Sequence, residues 1–454
     1  MTEALVAAAV IAVLSAGTRW LQRSVRVRHG WPIWGKVAHA YLKGVAVQGD
    51  FAAVTGWAGP FAVRFEALAD DAPATGTRLI VWDPARPIGD LTLRPQPRSR
   101  HAGEIELGDP AFDELFWIDG NLMTAGALLD SGTRQRLMDL GRSGRLQIVD
   151  GALRLEVASY SRRLLSRRLT ELIDAARRLT QPRSTANRWA AIATRDPVPA
   201  MRLRAVNALS REFRQEPDAL QALRLACADT SPEVCLEAAA AIGPAGRPTL
   251  LDLAERGARC AVRAIDALDG GVAPERVVAL FERAARQDDI ELACACLSLL
   301  GRIGSDACVT PLMAQLEAPL AALAASAAAA LGHTGSPRAE PPLIAALAHP
   351  DADVRTAAAQ ALGRLGSVAA VISLKEASEA SDDDRLRRAA RQAVAEIQSR
   401  IGGSPGELSM ASSEAGQLSI AGSESGRVSL ADDRVGGVSI PPADAPPGDK
   451  NEQG

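Results

Sequence analysis

Between residues 196 and 402, apolar side chains recur in pairs eight positions apart: Met201 and Leu209, Val234 and Ile242, Cys260 and Leu268, Leu292 and Leu300, Leu323 and Leu331, Val354 and Leu362, Leu386 and Val394. Eight residues make just over two helical turns, so both members of a pair share one face. The second members stand 33, 26, 32, 31, 31 and 32 residues apart. A fixed period of this size marks a stacked array of like units, here with one unit shortened. Alanines fill most of the space between the members, as in LAASAAAALG from Leu323. Small side chains allow close helix stacking, and alanine favours helix intrinsically. Each unit is predicted to be a first helix, a tight turn and a second helix, about seven pairs in all. The glycines directly after three anchors, Gly301, Gly332 and Gly363, are expected to close the first helix in the left-handed conformation.

Upstream the period changes from helical to alternating. GVAVQ (44–48), FAVRFEAL (61–68), TRLIVWD (77–83), DLTLR (90–94), EIEL (104–107), RLQIV (145–149) and ALRLEV (152–157) read as strands bounded by Gly, Pro and Asp. Asp150-Gly151 joins the last two as a hairpin, since both residues accept a positive φ. Helical stretches fall at 121–128 and 131–140, which makes 41–158 a small α+β domain. Residues 159–184 predict an amphipathic helix with a leucine face and arginines off it. Two readings stand for it: a connector packed on a neighbouring domain, or a basic helix lying on anionic lipid.

The two ends differ from the body. Residues 4–17 are apolar and uncharged, a helix of about 21 Å against a hydrocarbon core of about 30 Å. Trp20 and Leu21 extend it if Arg19 snorkels to the interface. Arg19, Arg23, Arg26 and Arg28 follow the run and no Lys or Arg precedes it. That order predicts a single-pass anchor over residues 1–21 with the body cytoplasmic, rather than a cleaved signal. Residues 22–40 then form a juxtamembrane segment, with Trp31 and Trp34 expected at the interface. From 403 to 454 the chain is low-complexity and unable to build a core, yet it repeats every ten residues. Leu408, Leu418, Val428 and Val438 each open an apolar-Ser-apolar triplet. These triplets are candidate docking units that add a strand to a partner, or else mark a duplicated linker in a disordered tail.

Composition narrows the chemistry. The net charge is -3, with 51 basic and 54 acidic side chains in 454 residues, so no global charge draws the chain to nucleic acid. Six of seven tryptophans lie before residue 120 and all six cysteines after residue 226, so two unlike modules share the chain. Cys294 and Cys296 point to nearly opposite sides of a helix and do not chelate one ion. Gly30 to Lys36 follows the spacing of a phosphate-binding loop, and Asp83 ends a strand like that motif's metal-holding partner. Pro32 has no N–H to offer a phosphate, though, and Val37 replaces the magnesium-binding hydroxyl. His101, in the loop RPQPRSRH, is a minor candidate for an anion site. No catalytic, cofactor or metal constellation is expected.

The array of residues 196–402, and DADVRTAAAQALGRLGS (351–367) best of all, resembles the HEAT repeat family, in particular the short HEAT-like repeats of phycobilisome lyases. Asp353-Val354-Arg355 is similar to that family's ladder at the start of the first helix. The resemblance implies a solenoid that binds other proteins, with no reaction attached. The layout of anchor, α+β domain and repeats is similar to that of uncharacterised bacterial proteins. A membrane-tethered, non-catalytic scaffold or adaptor is therefore expected, with one or more proteins as partners. The alternative is a HEAT-like lyase or nucleotide-dependent enzyme with its site in 41–158.

Overall fold

The computed structural model describes residues 31–48, 53–68, 76–97, 104–257, 259–401, 418–420 and 428–430. The expected anchor at 1–21, residues 22–30 of the juxtamembrane segment, His101, Leu408 and Val438 lie outside them. Among the described residues no helix is long and apolar enough to cross a membrane. Two compact units divide the chain, one ending at Gly271 and the other beginning at Val272.

The first unit opens with helix α1 (residues 31–41) and an antiparallel sheet. Its strands are β1 (Lys43–Gln48), β2 (Ala53–Ala58), β3 (Phe61–Ala67), β4 (Thr77–Trp82), β5 (Thr92–Pro95), β6 (Phe116–Asp119), β7 (Arg145–Val149) and β8 (Ala152–Val157), in the order β1-β2-β3-β4-β8-β7-β5-β6. Alternation places Thr77, Leu79 and Val81 of β4 in the core. The β7–β8 turn forms at Asp150 (φ 55°) and Gly151 (φ 73°), as its sequence predicts. Helices α2 (Pro110–Asp113), α3 (Leu122–Leu128) and α4 (Ser131–Ser143) interrupt the strands, and α5 (Arg162–Leu179) follows them.

Several expectations change here. EIEL at 104–107 is not a strand, although Ile105 N–H donates to Ile118 O of β6 at 3.0 Å. β2 and β6 are additional strands. In β2 the alternation is broken by Gly56, where a Cβ would stand 2.9 Å from the Leu42 Cβ, so the glycine makes room for the end of α1. Residues 31–41 are neither a phosphate loop nor an interfacial tryptophan cluster. They form a helix whose Trp34 is fully buried and donates from Nε1 to Thr77 Oγ1 at 2.9 Å. Asp83 accepts the N–H groups of Ala85 and Arg86 within its own turn.

The helical array starts within the first unit. Helices α6 (Thr185–Arg195), α7 (Pro199–Glu212), α8 (Pro217–Ala226), α9 (Pro232–Ala241), α10 (Arg247–Glu255) and α11 (Ala261–Ala267) follow in order. Residue 158 marks a change of secondary structure but no gap in the core, which runs from Trp34 through the leucine face of α5 to Ala238. Trp189 of α6 is fully buried and donates to Met123 O at 3.0 Å. Its ring lies where a Cβ on Gly126 of α3 would sit, 2.5 Å from the nearest ring atom. Arg134 of α4 is the polar counterpart. Its Nε meets Asp109 at 2.7 Å, and its two terminal nitrogens grip Asp196, beyond α6, at 2.9 Å each. Burial alone would push this guanidinium down; its hydrogen bonds to Asp196 and Asp109, with their negative charges, outweigh burial and keep it charged.

The second unit holds α12 (Pro274–Arg286), α13 (Ile290–Ile303), α14 (Asp306–Ala314), α15 (Ala321–Thr334), α16 (Glu340–Ala346), α17 (Ala352–Leu365), α18 (Val368–Ala380) and α19 (Asp384–Ile401). The first helices α13, α15, α17 and α19 stack on one another in sequence. In the tail, β9 (Leu418–Ile420) and β10 (Val428–Leu430) pair antiparallel, with Ser419 opposite Ser429. Two of the ten-residue triplets thus meet each other, where a disordered tail was expected.

Candidate protein-docking surface

The anchors sort the helices into inner and outer sets. Leu209, Leu268, Leu300, Leu331 and Leu362 are buried, and so are all seven partners eight residues earlier, from Met201 to Leu386. Ile242 and Val394 are only half-buried. In α19 the buried positions after Leu386 are Ala389, Ala390, Ala393 and Ile397 instead.

The glycines after the anchors have a different task from the one expected. Gly301, Gly332 and Gly363 lie inside α13, α15 and α17, not at their ends. A Cβ on Gly332 would stand 2.7 Å from the Ala361 Cα, and one on Gly301 2.7 Å from the Ala330 carbonyl oxygen. They let successive first helices touch backbone to backbone. The left-handed caps fall three residues later, at Gly304 (φ 66°) and Gly335 (φ 65°); Gly366 (φ −63°) is extended. The motif therefore carries a packing glycine and a stop glycine in fixed order.

An arginine in the first turn of the first helix closes the preceding turn. Arg202 reaches the carbonyls of Asp196 and Pro197, at 2.8 and 3.3 Å. Arg355 reaches those of His349 and Pro350, at 2.8 and 2.7 Å. The offsets are identical, six and five residues back, in repeats from different units. Arg202 also binds Asp229 with two nitrogens at 2.7 Å, linking its repeat to the next. Burial would raise the Asp229 carboxyl, but Arg202 and the Ser231 N–H more than offset it and hold it below the usual carboxylate range.

The family model of HEAT repeats matches residues 309–395. Residues 309–395 are HEAT repeats. No curated protein matches the chain. Among solved structures, the complex of CpcE and CpcF of phycocyanin lyase from Nostoc sp. is 22% identical, with 48% of this chain and 96% of that one covered and a TM-score of 0.30. Human deoxyhypusine hydroxylase in complex with glycerol is 19% identical, with 47% and 96% covered and a TM-score of 0.22. An engineered protein is 20% identical, with 48% and 98% covered and a TM-score of 0.22.

Beside the stacked first helices, the second helices keep exposed faces. Of the five large hydrophobic side chains exposed among the described residues of the repeats, Leu225 lies on α8, and Val368 and Ile372 lie one turn apart on α18, at 63% and 66% exposure. The other two, Ile290 and Leu320, sit at the starts of first helices. In the first unit, Leu225 edges a groove of about 410 Å³ between α6 and α8. Alanines 190, 191 and 222 line it, and Arg183, Arg195 and Asp218 add charge. An apolar floor with a charged rim is the composition of a protein contact. The sequence period points to the second helices as the free ones; which of their side chains protrude depends on stacking angles that no spacing records.

Other chemistry is sparse. Among the described residues no group of three or more His, Cys, Asp or Glu is placed to hold a metal. All six cysteines are free. Burial raises Cys296 to about 12, which leaves it an inert thiol at neutral pH.

Proposed function

We propose that this protein is a non-catalytic scaffold or adaptor that binds other proteins along the outward second helices of its HEAT repeats. In this reading it is tethered to the cytoplasmic membrane through residues 1–21 with its body in the cytoplasm. The observation that carries it is the exposure of Leu225, Val368 and Ile372 on second helices, while the first helices α13, α15, α17 and α19 stack on one another. Stacked repeats present extended surfaces of this kind without a cofactor. The uncharged apolar run at 4–17, with arginines only behind it, supports the tether. The tail triplets at Leu408, Leu418, Val428 and Val438 add weak strand-forming sites whose repetition raises avidity.

Fractionation tests the tether. Removing residues 1–21 should move the protein from the membrane fraction to the soluble one. Full-length protein that is soluble without detergent would contradict it. The docking surface is tested by the pair V368D and I372D, which should lower recovery of co-purifying proteins while leaving the melting temperature unchanged, because both side chains are exposed.

A further inference from the structure

Helix α5 spends one face on the core. Leu165, Leu169, Leu172 and Leu179 are buried, so the helix has no apolar side left to lay into a bilayer. Its leucine face packs on the core of the first unit, which leaves only the basic face for a lipid surface. The opposite face is basic and borders an open groove. One hollow, about 520 Å³, lies between Arg162, Arg163 and Arg167 of α5 and Tyr41 at the end of α1. A second, about 620 Å³, shares Tyr41 and Thr170 with the first and continues past Arg177 and Arg178, with Arg136 of α4 and the Gly59-Pro60 turn also lining it.

Two carboxylates stand in this groove, and both are taken. Glu171 is held by Arg168 at 2.5 Å and Arg167 at 2.9 Å; these arginines outweigh its burial and keep its carboxyl below the usual range. Asp174 is held by Arg136 at 3.2 Å and Arg178 at 3.4 Å. No carboxylate among the described residues pairs with Arg162 or Arg163, and both are exposed. The groove is thus a local excess of guanidinium in a chain of net charge -3. Guanidinium forks match phosphate oxygens in pairs. Tyr41 and the nearby Trp57 are 51% and 47% exposed, and such rings favour the headgroup layer of a bilayer.

The chain's path selects the source of the phosphate. α1 runs straight into the groove, and only residues 22–30 separate it from the apolar segment. Nine residues span at most about 30 Å, and α1 adds about 16 Å. A bilayer holding residues 1–21 therefore stays within reach at high effective concentration.

We propose that the α5 groove binds the phosphate headgroups of an anionic bilayer, seating this unit against the membrane. The inference rests on the tether reading for its geometry, but its chemistry is separable. The test compares full-length protein on phosphatidylcholine vesicles with and without phosphatidylglycerol, alongside the exposed-site variant R162Q/R163Q. Neutral vesicles report the tether; the gain on adding phosphatidylglycerol reports the groove. Each arginine at an anionic surface contributes about fivefold, so the double variant should lose roughly twenty-five-fold of that gain. Its binding to neutral vesicles should be unchanged, and added salt should shrink the wild-type gain. Equal binding to both vesicle types would overturn the groove and leave the tether intact. A gain that survives in the variant would assign it to Arg19–Arg28 and overturn the groove as well. Binding only to anionic vesicles, lost in the variant, would support the groove and reject the tether. Binding to soluble phosphopeptides without any phosphatidylglycerol gain would reject the proposal in favour of a protein ligand.

Discussion

Gly332 separates two physical effects of opposite sign. Inside a helix, alanine is better than glycine by about 1 kcal/mol, so a glycine with no other duty would be improved by G332A. Here the new Cβ would meet Ala361 at 2.7–2.8 Å, and forcing an extra methyl into packed backbone costs about 1–3 kcal/mol. G332A should therefore destabilise the second unit in urea melts, and a stabilised variant would refute the packing role. Gly335 differs: it has open space but a φ of 65°, so G335A should lose about 1 kcal/mol through strain alone. Asp229 supplies a pH test. Its folded carboxyl titrates below its unfolded value, so its stabilisation is complete above about pH 3.9 and is lost as pH falls through the lower folded value. In D229N the acid-unfolding curve should be flatter in that range. Identical acid limbs for wild type and variant would mean that Arg202 contributes no net preference for the charged form.

Elements in a solenoid depend mainly on their neighbours. Leu331 is fully buried in α15, and L331A should cost about 2–5 kcal/mol. The loss should appear in hydrogen exchange over residues 300–365, with the sheet of the first unit keeping its protection. Loss spread evenly over both units would contradict a modular array. The period of the first helices was readable from the sequence because one buried position per unit must stay apolar, and leucine at 300, 331 and 362 meets that need directly. The hairpin at Asp150-Gly151 was readable because its turn chemistry is local. β2 was not, since Gly56 answers to Leu42 rather than to its own strand's alternation. Trp34 misled for the same reason: a tryptophan near an apolar segment has one sequence appearance whether it meets lipid or Thr77. The left-handed stop was expected at Gly301, Gly332 and Gly363 but falls at Gly304 and Gly335, because close approach between helices leaves no mark within either helix. The basic groove required the fold, which alone brings Tyr41 and Arg136 beside the arginines of α5.

At the scale of the molecule, the shortened repeat has a counterpart in the division of the chain. The 26-residue spacing from Ile242 to Leu268 encloses the seven-residue helix α11, and the first unit ends at Gly271 just beyond it. Each unit carries its own outward second helices, Leu225 edging a groove on the first and Val368 with Ile372 forming a stripe on the second. The central claim is that these outward faces hold other proteins. Its most direct test is site-specific photocrosslinking in the native cell, with the reactive side chain placed in turn at 225, 368 and 372 and, as the control, at the exposed position 333 at the end of the first helix α15. The account predicts heavier adducts containing a common set of proteins from the three second-helix positions and little from the control. Absence of adducts at 225, 368 and 372, with the protein folded and at its normal abundance, would contradict it.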